Sequence, residues 1–158
     1  MTPAFGTFGR WGLMPSFSKK SMRRLETCAP ELQHLFREVV KRSDCTVLEG
    51  LRSQERQAEL YRQGRSKLDG TTKRSKHQPA ADGFSWAVDV APYPIDWRTH
   101  DDTVRVRWLS FARLVLGVAD EMSISLRWGG DWNGDWDRAS DPTSDQRFND
   151  WPHWEIVP

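Results

Sequence analysis

The sequence predicts an α+β domain, a small antiparallel sheet packed against helices, and three observations carry that prediction. Residues 30–42 and 103–122 repeat apolar side chains at helical spacing. Four short runs, CTVLEG, WAVDV, SISLRW and HWEIV, have the length and composition of strands. Helices and strands alternate only loosely, with closing strands placed to pair like a hairpin, which favours α+β over a parallel sheet. The length of 158 residues suits one domain with a real core. No repeat or linker divides the chain. Residues 1–20 read as an irregular N-terminal segment and residues 21–158 as the single domain.

The elements follow in order. Pro30 stands at a first-turn position, and Leu32, Leu35, Phe36, Val39 and Val40 follow on one helical face. CTVLEG reads as a strand ending in a turn glycine. Ser53 is placed to cap QERQAELYRQ, and Gly64 to stop it. Residues 65–85 lack periodicity and read as a long loop, a length that in a compact domain points to function. WAVDV is a short strand, APYPIDW breaks it, and TVRVRWLSFARLVLGVADEM is the second major helix. SISLRW, the acidic loop GGDWNGDWDRASDPTSDQRF and the strand HWEIV complete the chain.

Composition excludes several classes. Lys+Arg number 23 against 22 Asp+Glu, so the basic field of a nucleic-acid binder is missing. No run approaches the ~20 apolar residues of a membrane span, so no stable membrane association is expected. The N-terminus does not read as a signal peptide, which implies synthesis in the cytoplasm and release by another agent. Two cysteines, Cys28 and Cys45, are too few for a disulfide scaffold and are expected to be buried and reduced. Nine tryptophans are unusual, and five fall in the last 31 residues. Most should build the core, with one or two lining a groove.

One residue needs an explanation. Asp89 lies inside the apolar run WAVDV, and a charge there requires a partner: an arginine, a ring of amides or a metal ion. Of the four histidines, His34 sits beside an amphipathic stripe and His100 in a polar turn, whereas His77 and His153 lie in a loop and at a strand entrance. A catalytic metal site takes three such ligands and leaves a position open, and His77, Asp89 and His153 supply the set. Asp89 points away from the face of Val88 and Val90; His153 and Glu155 share one face of their strand, and Trp154 and Ile156 the other. Asp150, three residues before His153, is placed to act as a base, and Arg52 to stabilise an oxyanion. On the residues alone, an ordinary Asp–His hydrogen bond and a solvated Arg52 remain open. Asp131, Asn133, Asp135 and Asp137 could offer oxygens to Ca²⁺, but their spacing is not that of an EF-hand, and a Gly/Asp-rich turn is the plainer reading.

Taken together and in order, GLRSQERQAELY, SKH…AVDVAPY, LRWGGDW and DWPHWE resemble the D-Ala-D-Ala carboxypeptidase and L-alanyl-D-glutamate endopeptidase family of zinc peptidases, many of them phage endolysins. The resemblance spans about residues 20–158 and implies the hedgehog/DD-peptidase fold, with a zinc site on the sheet. It implies one zinc ion on His77, Asp89 and His153, Asp150 as general acid/base, and Arg52 polarising the scissile carbonyl. Gln57, Ser75 and Trp154 would contact substrate or support the site. The chain departs from the family where QPAADGFSW lengthens the gap between His77 and Asp89, and where Ser85 takes a position usually held by glycine. Phe84 or Trp86 could there form part of a substrate wall. The implied partner is bacterial peptidoglycan, cut by a monomer at the L-alanyl-D-glutamate bond after release to the periplasm. Three rivals stay open: a D-alanyl-D-alanine carboxypeptidase using Arg74 or Lys76 for a terminal carboxylate, a non-catalytic zinc-containing wall-binding domain, and a metal-free Trp-rich binder.

Overall fold

In a computed structural model that describes residues 14–158, the chain runs α1 (Lys19–Leu25), α2 (Pro30–Arg42), β1 (Cys45–Glu49), α3 (Gln54–Arg62), β2 (Ala87–Pro92), α4 (Asp102–Glu121), β3 (Leu126–Trp128), a 3₁₀ turn (Pro142–Ser144) and β4 (His153–Ile156). The four strands form one antiparallel sheet in the order β1-β2-β4-β3. The architecture is the expected α+β class. The last strand in sequence slots between β2 and β3, and that insertion sets His153 opposite Asp89.

Local chemistry explains the boundaries. The Ser53 hydroxyl accepts from the Arg56 amide at 3.1 Å to start α3, and Gly64 ends it at φ 69°, where a side chain would be strained. Asp101 caps α4 through the amides of Thr103 and Val104. SISLRW gives a shorter strand than expected, because Ser123 at φ 57° is still turning the chain out of α4.

Helix α1 is a correction to the sequence reading. It starts at Lys19, so the end of the expected irregular segment is helical; residues 1–13 lie outside the described residues. Ser18 caps it, and it buries only Ser21 and Leu25, too few for an apolar stripe. It lies along the open edge of β1. Arg24 Nη1 donates to the Val47 carbonyl at 3.0 Å, and the Val47 amide donates to Ser21 Oγ at 3.2 Å. Edge groups that would otherwise invite pairing are thereby occupied.

The core fills one face of the sheet beneath α2 and α4, with Leu32, Leu35, Phe36, Phe111 and Val115 meeting Val88, Val90 and Trp154. Trp128 and Trp154 stack at 5.7 Å, and Phe36 and Phe111 meet Trp154 edge-on at 6.2 and 6.4 Å. Each large apolar side chain buried here contributes about 1.5–3 kcal/mol. Cys28 and Cys45 are free and buried, and burial pushes both thiols up to about 12, which leaves them unreactive.

Candidate active site

The opposite face of the same strands carries the polar residues. Val47 pairs with Val90 on the core side, but a bulge at Leu48 brings Glu49 level with Asp89. The extra residue turns Glu49 out of the core and onto the other face. Glu49, Asp89 and His153 then form a row across β1, β2 and β4.

His77 reaches that row from the long loop. Its Nε2 lies 3.2 Å from Asp89 Oδ1 and 3.3 Å from His153 Nδ1, and the last two atoms are 3.3 Å apart. The outward nitrogens are anchored. His77 Nδ1 donates to the Gly50 carbonyl at 2.8 Å, and His153 Nε2 donates to Glu155 Oε2 at 2.8 Å. Because a carbonyl only accepts, His77 carries its proton outside and a lone pair inside. His153, bonded outward to a carboxylate, is set up the same way. Three electron-rich atoms thus face one another, an arrangement that needs a cation between them. Two anchored imidazoles and a carboxylate fit a divalent metal ion. With no metal bound, a proton can serve. Burial opposes charge on His153, yet Asp89 and Glu155 outweigh it and push His153 up to about 9. Burial likewise opposes charge on Asp89, but the two histidines hold its carboxyl well below the usual range.

Among the described residues, no other group of three or more His, Cys, Asp or Glu side chains converges in this way. Asp131, Asp135 and Asp137 do not gather; Asp137 Oδ1 instead accepts the amides of Ala139 and Ser140 within its own turn. His34 and His100 are exposed and stand apart from the site.

Arg52 is held as a fork. Nε and Nη2 donate to the two Glu49 oxygens at 2.8 and 2.6 Å, and Nη1 donates to Gln57 Oε1 at 2.8 Å. Gln57 is fully buried, and its amide nitrogen donates to Ser66 Oγ at 2.9 Å and the Leu68 carbonyl at 2.7 Å. Three of the five guanidinium N–H groups are used, which leaves two for a substrate oxygen. The Arg52 amide also donates to the His77 carbonyl at 2.8 Å, so fork and metal loop are tied together.

Asp150 is pinned by its backbone. Its amide donates to the Gly129 carbonyl at 2.9 Å, and its carbonyl accepts from the His153 amide at 3.1 Å. Position 129 must be glycine, since a Cβ there would clash with the Asp150 carbonyl oxygen. Burial, and then the charge of Asp89, push the Asp150 carboxyl up, while His153, His77 and Arg52 pull it down. A carboxyl raised in this way is better matched to proton transfer near neutral pH.

The long loop is fastened at both ends of His77. Ser75 Oγ accepts from the His77 amide at 3.1 Å, the Ser75 amide donates to Gln78 Oε1 at 2.9 Å, and Gln78 Nε2 donates to the Gly70 carbonyl at 2.9 Å. The Trp86 amide donates to the Lys76 carbonyl at 3.0 Å. Ser85 is fully buried, and its hydroxyl donates to the Ala87 carbonyl at 2.6 Å, which accounts for a serine where glycine was expected. Phe84 and Trp86 are half-buried. Arg74 donates to the Pro79 carbonyl at 3.0 Å, and Lys76 lies over the Trp86 ring.

Trp154, expected to contact substrate or support the site, is closed off from any substrate. It has no exposed surface and stacks in the core, because β4 alternates and its neighbour His153 takes the other face. Conversely, Glu49, Trp132 and Gln78 were missed, and Glu155 was placed on the right face without a role. Trp132 lies 5.3 Å from the His153 ring, with the Arg127 guanidinium 5.6 Å from its own ring centre. Arg127 Nε in turn donates to Glu155 Oε1 at 3.1 Å. Glu155 could have been found from the face it shares with His153, and Glu49 from its spacing of three to Arg52.

Known proteins resemble this chain in sequence and in overall fold. Residues 14–157 match the family model of the phage L-alanyl-D-glutamate peptidase. The chain is 32% identical over 120 residues to the L-alanyl-D-glutamate peptidase of Escherichia phage T5, across 73% of this chain and 80% of that one. It is 27% identical over 122 residues to the peptidoglycan L-alanyl-D-glutamate endopeptidase CwlK of Bacillus subtilis, across 73% of this chain and 62% of that one. The crystal structure of the Serratia marcescens L-Ala D-Glu endopeptidase ChiX superposes with a TM-score of 0.61 at 27% identity, over 90% of this chain and 91% of that one.

Proposed function

The chain belongs to the phage L-alanyl-D-glutamate peptidase family, and from that premise we propose that it hydrolyses the L-alanyl-D-glutamate amide bond of bacterial peptidoglycan stem peptides. One observation carries the reading: His77, Asp89 and His153 turn three electron pairs onto one point on the face that also carries the Arg52 fork. Those three residues would hold a zinc ion, which when bound polarises a carbonyl and makes water acidic enough to react at neutral pH. Asp150 takes the proton from the attacking water and returns it to the leaving amine. Arg52, steadied by Glu49 and Gln57, aims its two free N–H groups at the developing oxyanion. Glu155 fixes the His153 ring, and Ser75 fixes the loop that presents His77.

Among the described residues no helix is long and apolar enough to cross a membrane. The setting we propose is that of a phage lysis enzyme acting on the wall as a monomer once another protein has opened the way. Two variants test the mechanism together. Asp150→Asn should keep stoichiometric zinc while turnover falls about 10²–10⁴-fold, whereas His153→Ala should lose both metal and turnover. Full activity in Asp150→Asn would remove it from the mechanism.

A further inference from the structure

Beside the site lies a cleft of about 490 Å³ between α1, the end of β1 and the start of α3, with Lys20, Arg23, Arg24 and Arg56 on its walls. That volume falls within the roughly 300–1,000 Å³ typical of small-ligand sites. The acid that lines it, Glu49, already has both oxygens engaged by Arg52. Among the described residues, no carboxylate lies within ion-pair distance of these four cations. On a chain whose formal net charge is only +1, four unpaired cations around one opening are a local concentration, not a background.

The cleft is joined to the reaction centre. Its lining includes Gly50, whose carbonyl anchors His77, and Glu49, which anchors Arg52. Arg24 is fixed in place by the Val47 carbonyl, and the Leu51 amide is bonded to Thr27 Oγ1 at 2.8 Å, so floor and wall are both ordered. We infer that this cleft binds the free carboxylates of the stem peptide on the leaving-group side of the scissile bond. The inference rests on the endopeptidase reading. In an L-alanyl-D-glutamate bond the glutamate supplies the leaving amine, and it has two carboxyl groups of which the continuing chain uses one. The other is an anion close to the cut, and Arg23 and Arg56 with Lys20 are the groups to receive it. The cleft is therefore a determinant of specificity for acidic over amidated stem peptides.

The test uses the metal-loaded protein and its Lys20→Gln/Arg23→Gln/Arg56→Gln variant, all three positions being exposed and outside the core. Each is given a stem peptide whose glutamate carries a free carboxylate, and the same peptide with that group amidated. The wild type should show a KM about ten-fold lower for the acidic peptide, an advantage the triple variant loses while kcat changes less than about two-fold, as expected for a few exposed charge contacts. High salt should erode the same preference in the wild type. A preference for the acidic peptide that survives in the triple variant overturns the inference. Calorimetric titration of a D-glutamyl product peptide separates this from failure of the enzymatic reading. If neither peptide is cut, salt-sensitive binding by the wild type that the variant lacks still supports the cleft, and equal binding or none overturns it.

Discussion

The two faces of the four-stranded sheet are built from alternate residues of the same strands and obey opposite rules. On the core face, Val88, Val90 and Trp154 gain by leaving water, and any side chain of the right size and apolarity would do much of the same work. On the other face, Glu49, Asp89, His153 and Glu155 lose by leaving water, and each persists only because a specific partner is in place. The core face is tolerant of identity and sensitive to volume. The site face is sensitive to single atoms. His153 and Trp154, adjacent in sequence, belong to the two regimes.

That contrast can be broken at either face. The largest effect on stability should come from the core. Trp154→Ala removes a ring in contact with Phe36, Phe111 and Trp128 and should destabilise the fold by about 3–5 kcal/mol. Urea unfolding measures this; a loss under 1 kcal/mol would mean that Trp154 is not part of the packed core. On the site face, Glu155→Gln keeps shape and removes the charge that orients His153. Its metal affinity should fall about 10–100-fold, read by competition with a chromophoric chelator. Unchanged affinity would show that the carboxylate beyond His153 is dispensable.

The smallest effect should come from the loop that carries His77. Asp69 accepts from the amides of Lys73 and Thr71 at 2.9 and 2.8 Å and from the Thr72 hydroxyl at 2.8 Å. These bonds hold its carboxyl well below the usual carboxylate range. A group whose pKa is depressed by folding stabilises fully above its unfolded value of about 3.9, and that stability is lost as pH falls toward the folded value. The melting-temperature gap between wild type and Asp69→Asn should therefore be constant above about pH 5 and narrow in acid. A gap independent of pH would dismiss the charged Asp69 contacts as a source of stability.

The same contrast explains what could be read in advance. Helices α2, α3 and α4 and strands β1, β2 and β4 were legible because periodicity, the Ser53 cap and Gly64 are properties of contiguous residues. Helix α1 was not, because KKSMRRL shows almost no apolar face and is held by the edge of β1. The residues of the candidate site came from spaced motifs, and so did two of their partners, Gln57 and Ser75, but the partners that depend on register or on loop folding did not. Glu49 reaches Asp89 only through a bulge, and Trp132 reaches His153 only by folding of the acidic loop. Cross-strand register is a property of pairs of segments, and one chain read alone does not display it.

On the proposed function, one face of this sheet is a metal-dependent peptidase site for the L-alanyl-D-glutamate bond. The most direct measurement is the mass of fragments released from purified peptidoglycan, with and without a chelator. The enzyme should release fragments with new amino termini on D-glutamate, and that release should be abolished by the chelator and restored by added zinc. Release of D-alanine alone, or cleavage that ignores the chelator, would contradict the proposed function.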